Sequence, residues 1–191
     1  LERINISEAE NLFEEAKELI INKNTLFDPQ VVTHFFHRYI NQKLHSLQYE
    51  KAFNAIEELK EKVEATANSS MIINDRLCVA LYSLGREKEA LKAIDSVIQI
   101  AKKEKDTIWL SIAYSDKAFC HYYNSKNIDE ICSDFSEAVD YYENGKKYTD
   151  LSRKIEIQIQ KTIINILKKD FKNAEKEIQQ SIRIGEEANY G

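Results

Sequence analysis

An all-α solenoid of antiparallel helical hairpins is predicted by three features of this 191-residue sequence. One phrase recurs four times, as KLHSLQYEKAFNAIEELK at 43–60, LYSLGREKEALKAIDSVI at 81–98, YYNSKNIDEICSDFSEAV at 122–139 and NILKKDFKNAEKEIQQSI at 165–182. Its anchors are Ala52, Ala90, Ile131 and Ala174, with a weaker copy at Ala9, spaced by 43, 38, 41 and 43 residues. Self-similarity at such a period marks a stack of supersecondary units. Composition agrees: four glycines and one proline leave too little turn punctuation for a strand-rich fold, and a 43% hydrophobic share is enough for a continuous core.

The hydrophobic pattern places about nine helices, at 7–22, 29–46, 49–66, 70–84, 87–103, 107–124, 128–144, 150–168 and 171–188. The first forms the second half of a repeat, and full repeats occupy about 29–66, 70–103, 107–144 and 150–188 of one helical domain. Asp28-Pro29 is a helix start, because Asp caps and Pro fits the first turn. Gly85 supplies the tight turn between the fourth and fifth helices, where it takes positive φ without a steric penalty. Ser46, Lys126 and Lys169 fill the equivalent slot elsewhere. Ala90, Leu91, Ile94, Val97, Ile98 and Ala101 form one apolar stripe, and Ile73, Leu77, Leu81 and Leu84 form its partner. One hairpin cannot bury both stripes, so each must stack on its neighbours. The small anchors let helix backbones approach. Both ends of the sequence read as interruptions of the repeat, which predicts a longer parent protein.

These phrases resemble the tetratricopeptide repeat. Leu81, Gly85, Ala90, Ile94 and Val97 follow that family's pattern, as do Tyr122, Ile131, Phe135 and Ala138, and the resemblance covers nearly the whole chain. The copies exceed the family's usual length, and Phe119 and Thr162 stand where small residues are common. Longer copies of this kind resemble those of bacterial regulatory proteins, including peptide-pheromone receptors. The resemblance implies a right-handed superhelix whose first helices line a concave groove for peptides or partner proteins. Carried onto this sequence, the groove positions are His34, His37, Arg38, Asn41 and His45, then Asp75, Arg76, Val79 and Tyr82, then Asp116, Lys117, Cys120, Tyr123 and Asn124. An extended peptide needs such donors and acceptors to replace water on its amides. The last repeat offers Glu156, Ile159, Gln160, Ile163 and Ile166, so the groove is expected to turn apolar there.

Tyr123, one step past the packing aromatic Tyr122, is expected to point into the groove, where Tyr is a favoured contact residue. The other aromatics between Trp109 and Tyr148 are assigned to interhelical packing, with Trp109 at the seam of the second and third full repeats.

Other chemistries find no motif. The 32 acidic and 27 basic residues are thoroughly mixed, for a net charge of −5, and no basic stripe emerges to hold nucleic acid. Cys78, Cys120 and Cys132 lack CxxC spacing and read as core residues of a reducing, cytoplasmic compartment. His34 and His45 are eleven residues apart, roughly 16 Å along a helix, too far to share one metal ion. No Gly-rich phosphate loop or nucleophile–histidine motif appears, and no apolar run reaches the roughly 20 residues of a membrane helix. No cofactor is called for.

The expected function is a non-catalytic protein- or peptide-binding scaffold, with homodimerisation left open. The alternative is the ligand-sensing and dimerising domain of a bacterial transcription regulator, its DNA-binding domain outside this sequence. Both expect Asn41, Arg76 and Asn124 to be replaceable by Ala with loss of binding and little loss of stability.

Overall fold

The computed structural model describes residues 6–22, 28–62, 66–124, 127–145 and 151–189. Among them lie nine helices and no strand: α1 (Ile6–Asn22), α2 (Pro29–His45), α3 (Tyr49–Lys62), α4 (Ala67–Ser83), α5 (Glu87–Glu104), α6 (Thr107–Asn124), α7 (Ile128–Asn144), α8 (Leu151–Leu167) and α9 (Phe171–Asn189).

Local chemistry sets the helix starts. Asp28 Oδ1 accepts from the Gln30 amide at 2.7 Å, with Pro29 in the first turn of α2. Asp106 caps α6 through the amides of Ile108 and Trp109, and Asn127 caps α7 through Asp129. Helix α4 starts three residues earlier than the periodicity suggests. The cause is a reciprocal cap in which the Ser69 amide donates to Thr66 Oγ1 at 3.1 Å and the Thr66 amide to Ser69 Oγ at 2.9 Å. Ser replaces the usual Glu or Gln of that motif, which hides it in the sequence.

Between the helices of a hairpin, Gly85 takes a φ of 75° as expected, and Lys169 one of 60°. The expected slot at Ser46 is corrected by one residue: Ser46 closes α2 with φ −85°, and Leu47 takes the left-handed conformation at 58°. Lys105 adopts it too, between α5 and α6. Lys126 lies outside the described residues.

Helices α4–α5, α6–α7 and α8–α9 form tight antiparallel hairpins, α2–α3 a looser one, and α2, α4 and α6 stand side by side as an inner layer. Ala52 and Ala90 are completely buried, as are Ile94, Val97 and Ala101 on the α5 stripe; Leu91 is only partly covered. Burying each large aliphatic side chain stabilises the stack by about 1.5–3 kcal/mol. One core runs from Ile20 on α1 to Cys120 on α6. A smaller one joins Ala118, Ile131 and Phe135 to Ile163, Ile164 and Leu167. Trp109 packs partly buried against the larger core.

Helix α1 is held by a clasp that the sequence does not announce. Lys43 is fully buried and reaches Glu14 at 2.8 Å, while the Tyr39 hydroxyl donates to the same carboxylate at 2.8 Å. Burial alone would raise the Glu14 pKa; the bonds from Lys43 and Tyr39 and the nearby positive charges bring it below its ordinary value.

Candidate functional site

The inner layer is knitted together by side chains that reach from one hairpin to the next. Between α2 and α4, Arg76 donates to Asn41 Oδ1 at 3.2 Å, and the Asn41 amide meets His37 Nε2 at 3.2 Å. Between α4 and α6, three residues on one face of each helix pair as rungs. Asp75 faces Asp116, Cys78 faces Cys120, and Tyr82 stacks on Tyr123 with ring centroids 5.6 Å apart and planes 11° from parallel. The positions 75, 78 and 82 are successive turns of α4, and 116, 120 and 123 match them on α6. Between α6 and α8, Gln160 donates to Ser115 at 2.7 Å and Arg153 to Ser111 at 2.8 Å.

A hollow of about 550 Å³ opens over the C-terminal turns of α2, α4 and α6. Its walls bring together seven of the expected groove residues: Asn41, His45, Arg76, Val79, Tyr82, Tyr123 and Asn124. Leu44, Tyr49, Ser83 and Gly85, which sequence reasoning missed, join them. The missed residues are apolar or sit in turns, and only the way α3 folds back under α2 brings Tyr49 to the rim. Tyr123 is 60% exposed there. Tyr122, assigned to packing, is 45% exposed instead and meets Tyr123 edge-on at 5.4 Å. Tyr148 lies outside the described residues.

Other expected groove residues stand elsewhere. His34 and Arg38 are exposed on α2 but outside the hollow, and His37 is half-buried beside Asn41. Burial, and then the Arg76 charge, depress the His37 pKa, so its ring is neutral near pH 7. Asp75 is fully buried, with its carboxylate 2.6 Å from the Arg76 guanidinium, and Cys120 is fully buried as well. Asp116 sits against Asp75, and burial followed by the Asp75 charge pushes its pKa well up. Burial would lower the Arg76 pKa, but the neighbouring Asp75 and Asp116 together outweigh it and raise it. Lys117 turns toward the outer helix α5, 3.0 Å from Asp95. In the last repeat Gln160 is buried while Ile159 and Ile166 are each 47% exposed.

Arg76 cannot be treated as freely removable, because its loss strands a buried carboxylate. A second polar cluster also escaped the sequence reading: His121 Nδ1 lies 3.2 Å from Glu130 and 3.6 Å from Asp134. Only the i, i+4 spacing of Glu130 and Asp134 on α7 hints at it. Among the described residues no group of three or more His, Cys, Asp or Glu side chains is arranged to hold a metal ion.

No protein-family model matches this sequence, and no curated protein is found to be similar to it. Solved structures are. BtubC (BKLC) from P. vanneervenii matches with a TM-score of 0.74 at 15% identity, over 95% of this chain and 76% of its own. The apo form of RapI matches with a TM-score of 0.68 at 12% identity, over 97% of this chain and 66% of its own. The fold is a TPR-like α-solenoid. At these identities the likeness is one of backbone architecture alone. In this TPR-like chain the hollow lies on the layer formed by the first helices of the full repeats, α2, α4 and α6.

Proposed function

We propose that the protein is a peptide- or protein-binding scaffold whose contact surface is the hollow over α2, α4 and α6. One observation carries the reading: three consecutive repeats each contribute polar and aromatic side chains to a single cavity of about 550 Å³. That volume falls within the range of small-ligand clefts and admits a few residues of an extended chain. The Tyr82–Tyr123 stack offers a broad ring face, while His45, Ser83 and Asn124 supply donors and acceptors along the rim. Asn124 already spends its amide N–H on the Cys120 carbonyl at 2.9 Å, which leaves its Oδ1 for a ligand amide. Such a mixture suits a neutral stretch of backbone with one flat or aliphatic side chain laid on the tyrosines.

The test is selection of binders from a displayed random-peptide library, followed by calorimetry on the protein and on Tyr123→Ala. We expect Tyr123→Ala to weaken the selected peptides about tenfold or more, the loss typical of an aromatic hot spot. His34→Ala, outside the hollow, serves as the matched control. Peptides that bind Tyr123→Ala and the parent equally would place the contact surface elsewhere.

A further inference from the structure

We propose that Cys78 and Cys120 form a modification site: a hydroperoxide converts this thiol pair into a disulfide that joins α4 to α6. The inference does not depend on what fills the hollow.

The two cysteines are the middle rung of a three-rung contact. One turn toward the helix N-termini Asp75 meets Asp116, and one turn toward the C-termini Tyr82 stacks on Tyr123. Anchored on both sides, the Cys78 and Cys120 backbones cannot drift apart without unstacking a ring pair or drawing Asp116 away from the buried Asp75. Helices packed at about 8–10 Å between axes, with Cα atoms about 2.3 Å from each axis, put directly facing Cα atoms about 3.4–5.4 Å apart, a range that overlaps the separation of about 4.4–6.8 Å that a disulfide spans. The two thiols face each other across the seam as direct neighbours, the Cys78 S–H directed at the Cys120 sulfur. Both side chains are completely buried. A peroxide reaches them through opening of the α4–α6 seam, so the rate follows that opening.

The pair is also chemically unequal. Cys120 accepts hydrogen bonds from Cys78 and from Asn124, and these hold its thiol below the ordinary range despite burial. Cys78, donating to Cys120 and buried near Asp116 and Asp75, is pushed well up. Cys120 is thus the first nucleophile. Its thiolate attacks the peroxide O–O bond, giving a sulfenic acid and hydroxide, which takes up the thiol proton to become water. The Cys78 sulfur then attacks the Cys120 sulfur, forming the S–S bond and expelling a second water that carries the Cys78 proton. Two electrons pass from the sulfurs to the peroxide oxygens. Cys132 supplies an internal control: it is buried on α7, and burial raises its thiol pKa above the ordinary range.

The experiment treats the whole protein with hydrogen peroxide, alkylates the remaining thiols and maps the digest by mass. The expected product carries a Cys78–Cys120 cross-link, is lighter by two hydrogens, retains an alkylated Cys132 and reverts with dithiothreitol. Cys132→Ser gives the same product at the same rate. Because that variant keeps both proposed partners, the result stands even if Cys78→Ser or Cys120→Ser folds poorly. Peroxide that leaves both thiols alkylatable, carries either to sulfinic acid without a cross-link, or joins either to Cys132 or to a second copy would overturn the proposal.

Discussion

A single guanidinium balances the most expensive group in the inner layer. Asp75 has no exposure, and Arg76 is the cation beside it. Removing one partner of a buried pair leaves an uncompensated charge, so Arg76→Ala is expected to cost about 3 kcal/mol by urea denaturation. Asp116 behaves in the opposite sense. Its folded pKa is raised, so the folded state holds its proton longer than the unfolded chain does. Its stabilising contribution is complete below the unfolded carboxyl pKa of about 3.9 and is lost as pH climbs through the folded value. Asp116→Asn should therefore raise the urea midpoint at pH 7 while leaving it nearly unchanged at pH 4. An unchanged midpoint at pH 7 would mean that Asp116 ionises freely in the fold. At this scale the sequence is least legible. Asp75, Arg76, Asp116 and Lys117 share one polar spelling, yet burial separates them, and burial depends on which face of α4 meets α6. Asn41 and Tyr123 were readable because their register relative to the apolar stripe put them toward the inner layer.

Helices and turns follow the sequence more closely, because capping and periodicity are local. The boundaries of α5, α6 and α7 differ from the periodic expectation by at most one residue, whereas the Thr66–Ser69 cap moved the start of α4. Thr66→Ala should lower stability by about 1 kcal/mol. The left-handed turns give a paired forecast. A Cβ at Gly85 meets no atom within 4 Å, so Gly85→Ala costs only the strain of an L side chain in the left-handed region, about 1 kcal/mol. Leu47, 71% exposed and at φ 58°, gains a similar amount as Leu47→Gly. The two midpoints should move in opposite directions. The anchors are fully closed to solvent, so Ala52→Leu or Ala90→Leu should overpack the hairpin by about 1–3 kcal/mol.

Among the described residues the helices form a stack in which each hairpin packs mainly on its neighbours, and stability in such an array is shared unevenly. Hydrogen exchange should be slowest in α4 and α5, enclosed by core on both sides, and fastest in α9, where Phe171, Ile178 and Ile182 are 66%, 44% and 48% exposed. Equal protection of α5 and α9 would contradict this gradient. The repeated phrase made the stack visible in the sequence; the Lys43–Glu14 clasp and the rungs were not visible, since each joins residues about 30 to 45 positions apart with no local pattern. Those rungs also act as a ruler. Neighbouring inner helices about 8–10 Å apart, set against an extended chain advancing about 3.3 Å per residue, allot three ligand residues to each repeat. On the proposed reading, such a groove would grow or shrink in whole-repeat steps, and a hairpin grafted between α5 and α6 would lengthen the segment read by three residues only if its first helix supplied new partners for Asp75, Cys78 and Tyr82 on one side and for Asp116, Cys120 and Tyr123 on the other.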